Sequence, residues 1–228
     1  MTYAVTSVVE RPIYKGGPVV PRYVDAEQRR TDILQAASEA LAEEGYGRLS
    51  LRGLARRMGG SSTLVTHYFA TKEDLISGLV DRVLAEAEQA RGELAAIRDP
   101  VERVRSLLHD FLPDAEETRR QEGVRVALVS YKDTEPAIAS FFERIEPSMR
   151  SFIRSGLEGA VEPDRLEDLI DTVRVWVSGM VLSAVEHPEI WTPQRQHRAC
   201  EQFLGLLPLV DGASPDCSTG IHSDSVAG

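Results

Sequence analysis

The chain has 228 residues, 42% of them hydrophobic, and a formal net charge of −10. That is enough apolar content for one or two packed domains and too acidic a balance for a general nucleic-acid coat. No apolar run reaches the length of a membrane span, the N-terminus lacks the form of a signal peptide, and Cys200 and Cys217 have neither metal-ligand spacing nor a disulfide framework. The expectation is a cytoplasmic protein with reduced thiols, no metal and no cofactor.

Residues 1–24 hold three prolines and two adjacent glycines with no helical period. They read as a flexible arm, either without function or following a minor groove through Arg11, Lys15 and Arg22. Apolar spacing predicts a first helix over 25–44, ended by Gly45, with Tyr46 packing back on the core. Ser50 stands before Leu51, Leu54, Ala55 and Met58, which share one helical face, so its hydroxyl is placed to cap that helix. Gly59-Gly60 ends it, because glycine takes positive φ without steric cost. Ser61 is placed to cap a second helix through Leu64, Val65 and Tyr68, and Thr71-Lys72-Glu73-Asp74 has the form of a capping box. Two short capped helices around a glycine turn form a helix-turn-helix. On pattern alone they fit either a DNA reader or a plain helical hairpin.

The residues from Arg29 (RRTDILQAASEALAEEGYGRLSL) to about Leu79 are similar to the DNA-binding domain of the TetR family of transcriptional regulators. The likeness lies in Ile33, Ala36, Ala37 and Leu41, the Glu44-Gly45-Tyr46 exit, Leu54-Ala55, Gly59, Ser61, Tyr68-Phe69 and Lys72-Glu73-Asp74-Leu75. The family usually has Tyr at Thr66 and Val at Gly60, which removes one phosphate contact and one small core side chain. The resemblance implies a three-helix DNA-binding domain over 25–71. It also implies a helical effector-binding and dimerisation domain over 72–208. The whole is an all-α chain of about nine helices. Val210 onward is rich in Gly, Ser, Asp and Pro, and 209–228 reads as a disordered tail.

In the body, helix four starts after Thr71 and extends to about Ala96, so it serves both domains. Asp99-Pro100 opens helix five as cap and first helical residue. Further helices are expected at about 115–132, 135–158 with a kink at Pro147, 164–186, and from Thr192-Pro193 to about Leu207. The segment VWVSGMVLSAVEHPEIWTPQRQHRACEQFL resembles the last two helices of the subfamily with a choline-repressor-like C-terminal domain. The resemblance implies a homodimer through those helices, with Gly179 permitting close approach. Trp176 fits either that interface or its own chain's core.

The charge is unevenly placed. Residues 1–78 hold 10 Lys+Arg against 9 Asp+Glu, and the other 150 hold 16 against 27. A near-neutral head on an acidic body can meet phosphates through local arginines, although the acidic faces also read as solvated helix surface. The first residues of a recognition helix meet base edges, which selects Ser61, Ser62, Thr63 and Leu64, with Thr66 and His67 further along. The resemblance adds Arg52, which can give two hydrogen bonds to guanine, and Tyr68 and Lys72 as holders of the DNA backbone. Arg56 and Arg57 are helix-surface charge, one of them facing phosphate.

An effector pocket among helices four to eight is implied by the resemblance, with Leu108, Phe111, Leu128, Tyr131, Phe142, Met149 and Trp176 as lining. Arg105, His109 and Tyr131 would orient a ligand by hydrogen bonds. The same apolar residues at helical spacing also fit ordinary core. No HExxH, P-loop, GxGxxG or GxSxG is present, so no enzyme is expected. The expected function is a ligand-responsive repressor that binds a palindromic operator in double-stranded DNA as a dimer. Its partners are that DNA and an unknown small-molecule effector, with no membrane. The alternative is a scaffold of the same fold that has lost DNA reading.

Overall fold

The computed structural model describes residues 22–210. These residues form nine α-helices joined by turns, with no strand among them. The expected arm over 1–24 lies outside the described residues except for its last three, which already belong to the first helix. The expected tail lies outside them from residue 211.

The helices are α1 (Arg22–Glu44), α2 (Leu51–Arg57), α3 (Ser62–Tyr68), α4 (Lys72–Ala95), α5 (Pro100–Asp110), α6 (Glu116–Leu128), α7 (Pro136–Leu157), α8 (Leu166–Glu186) and α9 (Pro193–Leu206). Short 3-10 turns occupy Tyr46–Arg48, Val129–Tyr131 and Pro163–Arg165. Local chemistry accounts for most boundaries. Asp99 Oδ1 accepts the Val101 and Glu102 amides at 2.8 and 3.1 Å, and Pro100 follows at the position where its missing N–H costs nothing. α6 stops at Leu128, earlier than its apolar spacing suggests. Just beyond it the Ser130 hydroxyl donates to the Ala127 carbonyl at 2.8 Å, competing with the backbone for that acceptor, and the chain tightens into a 3-10 turn. α7 contains Pro147 and continues to Leu157.

Two cores organise the molecule. The first gathers Ile33, Leu34, Ala37 and Leu41 of α1, Leu54 and Ala55 of α2, Val65 of α3, and Leu75, Ile76, Leu79 and Val80 of α4. It does not stop at residue 71. The start of α4 is buried in it, and so are Leu128 and Ile138 from the corner between α6 and α7. The second core holds Val104, Leu107 and Leu108 of α5, Phe152, Ile153 and Leu157 of α7, Ile170, Val173, Val177 and Val181 of α8, and Cys200 and Leu204 of α9. α4 packs along α7 more extensively than any other helix pair and so connects the two cores. Each fully buried Leu, Ile or Val contributes roughly 1.5–3 kcal/mol of burial.

Candidate DNA interface

α2 is fixed at both ends and along its side. Ser50 has extended backbone, and its Oγ accepts the Gly53 amide at 3.1 Å. At the other end Gly60 N donates to Ala55 O and Gly59 N to Arg56 O, both at 3.0 Å, with Gly59 at φ 67. This is the paired C-terminal closure that places glycine in the left-handed region. Gly59 alone of the glycine pair has positive φ. A β-carbon on Gly60 would lie 3.3 Å from Leu64 Cδ2, so the absent side chain lets α3 start close to the turn. Arg57 reaches back to α1, where both its terminal nitrogens donate to Glu43 at 2.7 Å. That pairing holds the Glu43 carboxyl below its usual range and commits both terminal nitrogens of Arg57 to α1. Arg56 and Arg52 are exposed, and neither makes an ion pair within the described residues.

α3 is presented differently. Val65 is its one buried residue, and Leu64 and Tyr68 are half-buried. Ser61 occupies the N-cap position, but its side chain makes no capping bond. Ser61, Ser62, Thr63, Thr66 and His67 are all exposed. The Thr66 hydroxyl donates to the Ser62 and Thr63 carbonyls at 3.1 and 3.3 Å, so its hydrogen is used within the helix. His67 meets the Tyr68 ring edge-on at 5.2 Å. Phe69 is buried as expected, and the capping box closes with Thr71 and Asp74 exchanging 3.0 Å bonds.

Lys72, expected to hold the DNA backbone, is half-buried and has partners within the chain. Its ammonium donates to the Tyr46 carbonyl at 2.8 Å and lies 3.5 Å from the centre of the Tyr46 ring. Burial lowers its pKa. A side chain with these two partners is turned into the protein, because a desolvated ammonium needs an acceptor close by. Nothing in the local sequence marks this, since the partner is 26 residues away.

The nine residues expected around an effector do not converge. Leu108 is fully buried in the second core, with Phe111, Met149 and Trp176 packed against it. Leu128 lies inside the first core, and Tyr131 and Phe142 pack on that one. Arg105 and His109 face Glu201 of α9 at 3.1 and 3.3 Å on the surface. Trp176 stacks on Phe203 at 4.4 Å, joining α8 to α9. Helical spacing shows that a residue faces inward but not which core it enters, and here the two cores divide the set. An open groove of about 610 Å³ between α6, α7 and α8 has Arg125, Val129, Lys132, Phe142, Ile145 and Arg174 on its walls. Phe142 is the member of the expected set that reaches it. No group of three or more metal-ligating side chains is assembled among the described residues, and none of their helices is long and apolar enough to cross a membrane.

Comparison with known proteins agrees with this geometry. Residues 33–79 match the profile of bacterial regulatory proteins of the tetR family, and residues 100–208 match the BetI-type transcriptional repressor C-terminal profile. The HTH-type transcriptional regulator PksA of Bacillus subtilis is 27% identical over 204 residues, covering 84% of this chain and 96% of that protein. The nucleoid occlusion factor SlmA of Vibrio vulnificus is 31% identical over 133 residues, covering 55% of this chain and 67% of that protein. Among solved structures, a transcriptional regulator from Rhodococcus sp. Rha1 aligns with TM-score 0.67 and 23% identity over 77% of this chain and 94% of its own. A regulator from Saccharomonospora viridis in complex with choline aligns with TM-score 0.68 and 19% identity over 82% of this chain and all of its own. With the two profiles spanning the helix-turn-helix head and most of the helical body, the chain belongs to the TetR family of transcriptional regulators.

Proposed function

We propose that this regulator is a homodimeric repressor that lays the N-terminal edge of α3 in the major groove of a palindromic operator and is released by a small-molecule effector. The observation that carries the reading is the state of that edge. Ser61, Ser62 and Thr63 are exposed and uncapped, directly in front of a closed core. Hydroxyls there can bond either donors or acceptors on base edges, and Leu64 can meet a thymine methyl. Arg52 and Arg56 supply phosphate or guanine contacts beside it, and His67 and Tyr68 add contacts further along.

α3 carries no Lys or Arg, so one head binds weakly and two are required. A two-fold dimer places its reading helices about 34–36 Å apart, which matches successive major grooves. The surface suited to that dimer lies on α8 and α9. Val175, Leu182 and Leu206 are 72%, 43% and 80% exposed there, beside Gly179 and the Trp176–Phe203 stack. Apolar side chains this exposed on adjacent helices suit a partner of the same kind. The effector is a small organic molecule. The groove between α6, α7 and α8 supports this, as do the choline complex of the Saccharomonospora viridis relative and the triclosan complex of SmeT. No catalytic role is assigned, and the site of action is the cytoplasm, where the operator is.

A second reading, a family fold that no longer reads sequence, draws on the inward Lys72 and on Thr66, whose hydroxyl is bonded to its own helix. Selection from a random duplex pool separates the two. The regulator enriches an inverted repeat and binds it more weakly as Arg52→Ala and Thr63→Ala. A protein that enriches no sequence is the scaffold.

A further inference from the structure

The corner between α6 and α7 enters the core of the reading head. Leu128 and Ile138 are buried in one core with Leu41, Tyr46 and Leu49, and Val124, Tyr131, Phe141 and Phe142 pack against that core. The polar contacts at this junction converge on one short segment, the turn Tyr46–Arg48 that leads into α2. Tyr46 is 4% exposed, and its hydroxyl donates to Glu135 Oε2 at 3.1 Å. The Tyr131 ring lies against the Tyr46 ring with centroids 5.0 Å apart. Lys72 donates to the Tyr46 carbonyl at 2.8 Å, and its ammonium lies 3.5 Å from the centre of the Tyr46 ring.

A buried phenol needs a partner for its hydrogen. Here the partner comes from the body, 89 residues away along the chain. Burial and the neighbouring carboxylate push the Tyr46 hydroxyl up to about 12, so it remains a donor throughout the neutral range. The contacts also sit at both ends of the helix-turn-helix. Tyr46 stands just before α2, and Lys72 is the first residue of α4, just after α3. Whatever displaces Glu135 or Tyr131 therefore acts on the entrance of the motif directly and on its exit through Lys72.

We propose that Tyr46, Lys72, Tyr131 and Glu135 form an interdomain clasp that sets the angle of α3 relative to the body. They are positioning residues for DNA reading, acting through the turn that leads into α2. The inference rests on the DNA-reading function above and specifies how that site is regulated. Coupling of this kind is reciprocal, so DNA bound at α3 must also steady the corner at Glu135. Lys72 then contributes to operator affinity by holding the turn through the Tyr46 carbonyl.

The test uses the full chain and the duplex that the wild-type protein selects from a random pool. In the wild type, adding that duplex slows amide exchange across 128–138. Tyr46→Phe removes only the hydroxyl, and Glu135→Ala removes only the acceptor. Each weakens binding to the selected duplex about tenfold, within the range typical of coupled sites, and abolishes the DNA-dependent protection of 128–138. Glu135→Gln retains a side-chain oxygen that accepts the phenolic hydrogen, and it restores both. The clasp is overturned if Tyr46→Phe and Glu135→Ala bind like wild type, or if DNA leaves exchange at 128–138 unchanged. Failure to enrich any sequence is a different result, which removes the DNA reading and the clasp with it.

Discussion

The two helices of the motif are held in opposite ways. α2 is capped by Ser50, closed by Gly59 and Gly60, and bolted to α1 by Arg57. α3 has the same length but one buried residue, no capping bond and no ion pair among the described residues. The difference separates two tasks. α2 spends Ser50 and Arg57 on fixing geometry, whereas in and beside α3 only Thr66 bonds to its own helix and Ser61, Ser62 and Thr63 stay exposed. A helix whose hydroxyls were already satisfied within the protein would have little left with which to discriminate bases.

Substitutions can break this contrast, and the core changes have the largest expected effect. Leu54→Ala in α2 removes a fully buried side chain and costs about 2–5 kcal/mol in urea unfolding, while Val65→Ala in α3 costs about 2 kcal/mol. Next come the arginines. Arg52→Ala weakens binding to the selected duplex by about 1–3 kcal/mol and leaves the melting temperature unchanged. Arg57→Ala does the reverse: it lowers the melting temperature and leaves the salt dependence of DNA binding intact, because its charge is spent on Glu43. Gly59→Ala forces a side chain into positive φ and costs roughly 1–2 kcal/mol by thermal melting. The caps are smaller. Ser50→Ala costs about 1 kcal/mol, whereas Ser61→Ala changes stability by less than about 0.5 kcal/mol and acts on DNA binding instead.

A further effect is one of pH. The Tyr46 phenol rises from 10.0 to about 12, first through burial and then through Glu135. The folded state thus favours its neutral form. The stabilisation it gives is complete below pH 10 and is lost as pH climbs towards 12. Urea melts across that window should show wild type losing stability relative to Tyr46→Phe, with a constant difference near neutral pH.

The same contrast explains what the sequence could reveal. Ser50, the Gly59 turn, Thr71 with Asp74, and Asp99 with Pro100 act on residues two to five positions away, so a reader of the sequence sees both partners at once. The exposed face of α3 was legible for the same reason, through its spacing around Val65. Contacts between distant segments were not. Arg57 finds Glu43 only because α1 and α2 cross, Lys72 finds Tyr46 across the motif, and Glu135 is brought to Tyr46 by the corner between α6 and α7. The effector set dispersed on similar grounds. Leu108, Leu128 and Trp176 all carry inward-facing spacing, yet one fills the second core, one the first, and one stacks on Phe203.

Sequence reading by the free edge of α3 is tested most directly by selection from a random duplex pool with wild type and with a Ser62→Ala/Thr63→Ala variant. The expected result is an inverted repeat for wild type and relaxed preference at the same symmetric positions for the variant, with unchanged melting temperature. Identical preferences for the two proteins, or enrichment of no sequence by either, would contradict it.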